Sequence, residues 1–173
     1  MVNNPLTECE LTDKGRALIR SSAAGKVSRK TAEDALAGLL KRVEQYNHDL
    51  GKMFIIETVV VFGSFLGTKD MLGELDVAVK KRDRNLADPD RSNTALAYAA
   101  KSGRRFSSFV DELFWAAREV NQILKAKKRT ISILDWDEFL RMASASPERI
   151  PDKVVFGSTK EAVAAEISSR GTK

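Results

Sequence analysis

Apolar and polar residues alternate with two different periods along this chain, and each change of period marks an element. Between Ser28 and Leu50, apolar residues fall at Ala32, Leu36, Leu39, Leu40, Val43, Tyr46 and Leu50. That is the 3.6-residue stripe of a helix lying on a core, and Asp49-Leu50-Gly51 ends it. Upstream, Leu11 to Arg20 predicts a short helix in which the Thr12 hydroxyl accepts from the orphan N–H groups of the first turn, fraying at Ala23-Ala24-Gly25. Ile55 to Phe62 is rich in β-branched residues and bounded by Gly51 and Gly63, which reads as a buried strand. Glu74 to Lys80 then alternates strictly, with Leu75, Val77 and Val79 on one side and Glu74, Asp76 and Lys80 on the other, as a second strand requires. Arg82 to Arg91, carrying Asp88-Pro89-Asp90, is a polar loop. A helix follows from about Ser92 to Ser102 before Gly103. Another runs from about Ser107 to Lys127, with Phe109, Val110, Leu113, Phe114, Ala117, Val120 and Leu124 at helical spacing and Phe114 and Trp115 read as core. Thr130 to Leu134 is a third strand, Lys153 to Phe156 a short fourth, and Lys160 to Ser168 a closing helix. This order predicts an α/β (α+β) fold, a mixed central sheet with packed helices and an N-terminal helical segment.

The 173 residues suffice for one domain with an appendage: an N-terminal helical extension over 1–52 and a sheet domain over 53–173. With 43% hydrophobic and 31% charged residues the chain supports a proper core, which excludes disorder, collagen and a coiled-coil rod as whole-chain readings. Cys9 is the only cysteine and His48 the only histidine. An internal disulfide, a zinc set and the histidine-dependent nucleophilic triads are thereby excluded, and His48 reads as ordinary surface. The most apolar stretch, Met53 to Phe65, is interrupted by Glu57 and Thr58 and falls short of the ~20 residues a bilayer requires, so no membrane is expected. Met1 to Pro5 shows no basic start before an apolar run, and the expected compartment is a reducing cytoplasm. A formal charge of +5 favours polyanionic partners such as nucleotides or nucleic acid, although a solvated surface explains it equally well.

Glu74 and Asp76 carry the chemistry. Two acids at positions i and i+2 of a strand project from one face about 7 Å apart, an arrangement that can grip divalent cations. Hard oxygen ligands suit Mg²⁺ or Mn²⁺, and a two-metal site would stabilise both the attacking and leaving oxygens of a phosphoryl displacement. The turn after the preceding strand carries Gly63-Ser64, where a missing side chain lets phosphate oxygens approach backbone N–H groups and the Ser64 hydroxyl can donate.

The run Val60-Val61-Phe62-Gly63-Ser64-Phe65-Leu66-Gly67, followed by Gly73-Glu74-Leu75-Asp76-Val77-Ala78-Val79, resembles the fingerprint of the polymerase-β-type nucleotidyltransferase superfamily. That fingerprint is a hydrophobic strand, Gly-Ser or Gly-Gly, a short gap, then acids alternating with hydrophobics. The segments Gly103 to Phe106 and Phe114 to Val120 also look like helices of small bacterial chains of this superfamily, and the likeness covers roughly Glu57 to Phe156. It implies the nucleotidyltransferase fold, with Gly63 and Ser64 on the triphosphate, Glu74 and Asp76 on Mg²⁺ or Mn²⁺, and a third carboxylate on a later strand. Asp135, at the end of the third strand, or Asp137 two residues on, fills that third place, with Asp135 preferred. Glu74 departs from the more usual aspartate. The implied reaction moves a nucleoside monophosphate from an NTP to an acceptor hydroxyl; the resemblance names no acceptor, and RNA and protein are the candidates. The alternative is a catalytically inactive module of the same fold that binds nucleotide or RNA, for instance in a toxin–antitoxin pair.

Other signals weigh less. Lys80-Lys81-Arg82 with Arg84, and Lys125, Lys127, Lys128 and Arg129, would attract the triphosphate or an RNA end as function, or stand as solvated loop residues. Gly67-Thr68-Lys69 has the wrong order for a P-loop. Val154-Val155-Phe156-Gly157-Ser158 echoes the Gly63 run but lacks an acid pair after it, which favours a packing turn. Leu11 to Leu18 resembles the closing helix of bacterial winged-helix regulators, yet only ten residues precede it, so sequence-specific DNA reading is not expected. The helix from Ser28 to Leu50 buttresses the sheet or supplies the face of a homo-oligomer.

Overall fold

The computed structural model describes residues 26–146 and 150–170. The predicted helix over Leu11 to Arg20, its winged-helix likeness and Cys9 lie outside them. Strand β1 (Val27–Ser28) leads into helix α1 (Arg29–His48), whose first turn is capped by the Ser28 side chain accepting from the Thr31 N–H at 3.2 Å. The buried stripe of α1 is Ala32, Ala35, Leu39, Val43 and Tyr46, one residue off the predicted list at Ala35. Leu50 falls beyond the helix end and is exposed, because the chain turns at Asp49 before the stripe can continue.

Strand β2 (Phe54–Phe62) is the spine of the molecule, since it is hydrogen-bonded on both edges. A short turn of 3₁₀ helix (Gly63–Leu66) follows, then β3 (Met71–Leu72), which pairs antiparallel with β1, and β4 (Leu75–Asp83), which pairs antiparallel with β2. β4 runs three residues past the predicted strand. Lys81, Arg82 and Asp83 stay in the ladder opposite Ile56, Ile55 and Phe54, so the polar loop begins only afterwards. Asp83 is buried, and its carboxylate accepts from Arg91 Nε at 2.7 Å and from the Asn85 N–H at 2.8 Å, which supplies the partners a buried charge needs.

From β4 the chain crosses through α2 (Arg91–Lys101), α3 (Phe109–Leu113) and α4 (Trp115–Lys125) to β5 (Ile131–Asp135), which lies parallel to β4. The single helix expected over Ser107 to Lys127 is therefore two. Ser108 caps α3 by accepting from the Asp111 N–H at 3.1 Å, and the backbone leaves helical geometry at Phe114 (φ −93°, ψ 9°). That break rotates the stripe: Trp115, Ala116, Val120 and Leu124 are buried, whereas Phe109, Val110 and Phe114 are exposed. Trp115 is core as expected, and Phe114 is not.

Helix α5 (Trp136–Ala145) follows β5 directly, then β6 (Asp152–Gly157) and α6 (Lys160–Arg170). The sheet order is β5-β4-β2-β6, mixed in direction and covered by helices on both faces. One face packs Leu75, Val77 and Val79 of β4 and Val59 of β2 against α1 and α4. The other packs Val60, Phe62 and Ala78 against Trp136, Phe139 and Leu140 of α5 and Val163 of α6. Each buried valine or leucine stabilises the fold by about 1.5–3 kcal/mol. Because α1 is part of the same core as the sheet, its stripe has no apolar face left for another role. Among the described residues, no helix is long and apolar enough to cross a membrane.

Candidate functional site

The bend at the end of β2 is built to be rigid. Gly63 sits at φ +74°, a region that disfavours any residue with a Cβ, and its N–H donates to the Pro151 carbonyl at 3.0 Å. Beyond it, the Gly67 N–H donates to the Ser64 carbonyl at 3.2 Å. The loop is then clamped from α1. The Arg29 guanidinium donates to the carbonyls of Phe65 (3.0 Å), Gly67 (2.6 Å) and Lys69 (2.8 Å) and stands 5.8 Å over the Phe65 ring. Ser64 is left exposed at the turn. Arg29 escaped the sequence reading because its partners lie 36 to 40 residues away, a separation no local pattern encodes.

Of the acid pair, Asp76 meets this bend. Antiparallel register places Asp76 opposite Phe62, and a Cβ built on Gly63 would lie 3.6 Å from Asp76 Oδ2. Glu74 immediately precedes the first residue of β4 and is half-buried like Asp76. Gly63 and Asp76 thus meet at one end of the sheet, with Ser64 and Glu74 next to them along the chain. A further acid lies in the same row, since Asp152 of β6 sits opposite Phe62 from the other edge of β2. Its position at a strand start after Pro151 gave no local sign of this.

The remaining predicted residues are not brought there. Asp135 pairs in register with Val79, and Ser132 pairs with Asp76. The offset of three residues is odd, so Asp135 falls on the opposite face of the sheet from Asp76. On that face Asp135 Oδ1 accepts from Lys81 Nζ at 2.6 Å. The place beside Asp76 on β5 belongs to Ser132. Asp137 lies in the first turn of α5, exposed and ion-paired with Arg170. Lys80 shares a face with Asp76 but lies four residues along β4, about 13 Å at the rise of a strand. Its Nζ is held 2.7 Å from Glu166 Oε1 and 5.7 Å over the Trp136 ring. Burial pushes the Glu166 carboxyl up, but hydrogen bonds from Lys80 and the Trp136 indole together outweigh it and hold the group below its ordinary value.

Among the described residues, no group of three or more His, Cys, Asp or Glu side chains is gathered for a metal. Glu74 and Asp76 nonetheless suit one hard divalent cation. Mg²⁺ is commonly held by one or two carboxylates, with phosphate oxygens and water completing its octahedron. Neither a family model, nor a curated protein, nor a solved structure matches this chain. The overall class defined by the coordinates is a mixed α/β domain with a four-stranded mixed sheet.

Proposed function

We propose that this chain is a nucleotidyltransferase of the polymerase-β type, moving a nucleoside monophosphate from an NTP to an acceptor hydroxyl. The acceptor oxygen forms a bond to the α-phosphorus, the α–β phosphoanhydride breaks, and pyrophosphate leaves. The observation that carries the reading is the closeness of Asp76 Oδ2 to the Gly63 bend, 3.6 Å from where a Cβ on Gly63 would stand, which supports a metal ligand beside a phosphate-binding turn. Gly63 leaves the room a phosphate oxygen needs, and Ser64 offers an exposed hydroxyl donor. Glu74 and Asp76 hold the cation, which when bound neutralises charge on the phosphoryl oxygens. The clamp of Arg29 and the anchor on Pro151 keep the bend in place without reorganisation. Positioning and charge neutralisation supply most of the rate in such transfers.

Incubation with each labelled NTP, Mg²⁺ or Mn²⁺ and RNA or protein acceptors tests this. Transfer that disappears in Asp76→Asn supports the reading, and undiminished transfer in that variant removes Asp76 from the site. A second reading, a nucleotide-binding module without turnover such as a toxin–antitoxin component, is favoured by one observation, Ser132 standing where a third acid would flank Asp76. Calorimetry separates them: metal-dependent NTP binding with no product across acceptors supports the module, and absence of NTP binding defeats both.

A further inference from the structure

Away from the Gly63 bend, a cleft of about 840 Å³ opens between the C-terminal ends of α2 and α4, walled by Ser102, Arg104, Trp115, Gln122, Lys125 and Lys127. A volume of this order accommodates a ligand the size of a mononucleotide. Its rim is cationic. Arg104, Lys125 and Lys127 are exposed, and none has an acidic partner among the described residues. The one acid in the wall, Glu119, is already engaged, accepting from Lys52 Nζ at 3.0 Å and from the Tyr98 hydroxyl. Cations near a helix C-terminus have an ordinary explanation in the helix dipole, and that accounts for Lys125. It does not account for Arg104, whose guanidinium carbon lies 4.3 Å from the centre of the Trp115 ring, with Phe106 packed on the same indole at 5.7 Å. Stacking fixes one face of the guanidinium and leaves the side chain exposed as a flat, charged platform. Two successive left-handed residues, Ala126 (φ 47°) and Lys127 (φ 59°), turn the chain sharply at the rim, a conformation that non-glycine residues adopt at a cost. The buried Trp115 Nε1 also has no acceptor among the described residues.

The geometry points to this cleft as a binding site for a nucleoside phosphate, either a free mononucleotide or the 5′-phosphorylated end of single-stranded RNA. The base stacks on the outer face of Arg104, and the phosphate lies between Lys125 and Lys127. This site is independent of the Gly63 bend, and its test is arranged to keep the two apart. In EDTA, which withholds the cation that Glu74 and Asp76 would need, a fluorescent 5′-phosphorylated RNA hexamer is titrated with the full chain by polarisation and competed with AMP or inorganic phosphate. Arg104→Ala and the Lys125→Glu/Lys127→Glu pair should each weaken hexamer binding about 10-fold, since one stacked base is worth ~1–3 kcal/mol. Arg104→Lys, which keeps the charge but loses the plane, should fall between wild type and Arg104→Ala. Asp76→Asn should bind as wild type. Competition by AMP identifies the free nucleotide as a ligand, and hexamer binding without it identifies the strand end. Absence of binding by both probes, full binding by Arg104→Ala with an unchanged melting temperature, loss of binding in Asp76→Asn, or equal competition by inorganic phosphate would each overturn the proposal.

Discussion

Gly63 and Gly157 end two similar runs, Val-Val-Phe-Gly-Ser, and both adopt positive φ, +74° and +83° respectively. Their surroundings differ in a way that separates chemistry from packing. A Cβ on Gly157 would lie 1.7 Å from the Glu57 carbonyl oxygen and 2.8 Å from its carbon, so the backbone of β6 closes directly on β2 there. The neighbouring Ser158 hydroxyl bonds the buried Thr58 hydroxyl at 2.7 Å, which completes a packing turn. Gly157→Ala should therefore destabilise the fold by about 2–4 kcal/mol, combining a strained φ with a backbone clash that cannot relax by rotamer change, as measured by denaturant unfolding. At Gly63 the added methyl meets only Asp76 Oδ2 at an ordinary 3.6 Å, so Gly63→Ala should cost about 1–2 kcal/mol in backbone strain and leave the molecule folded. NTP binding in that variant should drop while the fold persists, because the methyl occupies the space offered to phosphate. A second contrast concerns the carboxylates. Asp135 serves Lys81, whose side chain is only 11% exposed, on the face opposite Asp76. Asp135→Asn should lower stability by about 1 kcal/mol through that ammonium and leave nucleotide binding unchanged, whereas Asp76→Asn should lose NTP binding. Parallel melting and calorimetric titrations of the two variants check this, and loss of NTP binding in Asp135→Asn would return that residue to the site.

Among the elements, periodicity predicted α1, β2, β4, β5, β6 and α6 within a few residues, because each carries its apolar residues at one period between clear polar or glycine boundaries. It fails where two elements follow one another without a polar break. α5 was overlooked although Trp136, Phe139, Leu140 and Ala143 fall at helical spacing, since it starts with no intervening turn from β5. The break at Phe114 was hidden for the opposite reason, apolar residues continuing through it. The bend and acid pair of the candidate site were readable from local spacing, because antiparallel pairing of adjacent strands brings such motifs together. The face on which Asp135 lies is not legible locally, because the face of a parallel partner depends on a register that only the crossover through α2, α3 and α4 sets. The Arg29 clamp belongs to this scale too, joining α1 to the loop that carries the bend. Arg29→Ala deprives three carbonyls of their donor, and since they can turn to water the expected cost is only about 1 kcal/mol. The larger effect is local: amide exchange over residues 63–70 should accelerate at least several-fold while that of β2 and β4 stays protected. Arg29→Lys should not restore it, because one ammonium lacks the planar fork that spans three acceptors. Unchanged exchange in both variants would show that the bend is held by Pro151 alone.

At the level of the whole molecule, the layer formed by α5 and α6 is tied to the sheet through one carboxylate. Glu166 of α6 accepts from Lys80 of β4 at 2.7 Å and from the Trp136 indole of α5 at 2.8 Å, linking three elements at the margin of the second core. Its pKa lies below the ordinary glutamate value despite burial. A carboxyl whose folded-state pKa is depressed gives up stability when it is protonated, so the contribution is complete above the unfolded value of ~4.3 and is lost as pH falls through the lower folded one. The ion pair is about a third exposed, and solvent screening limits it to ~0.5 kcal/mol, far less than its short distance alone would suggest. Glu166→Gln removes the charge and keeps an oxygen that the indole N–H can still reach. Its stability deficit should therefore be about 0.5–1 kcal/mol at pH 7 and should shrink toward zero below about pH 4, where the native carboxyl takes up its own proton. Urea unfolding at a series of pH values resolves the difference. A deficit that persists unchanged into acid would assign the effect to packing of the α5–α6 layer instead of charge, and would leave Lys80 free of any electrostatic duty to that layer.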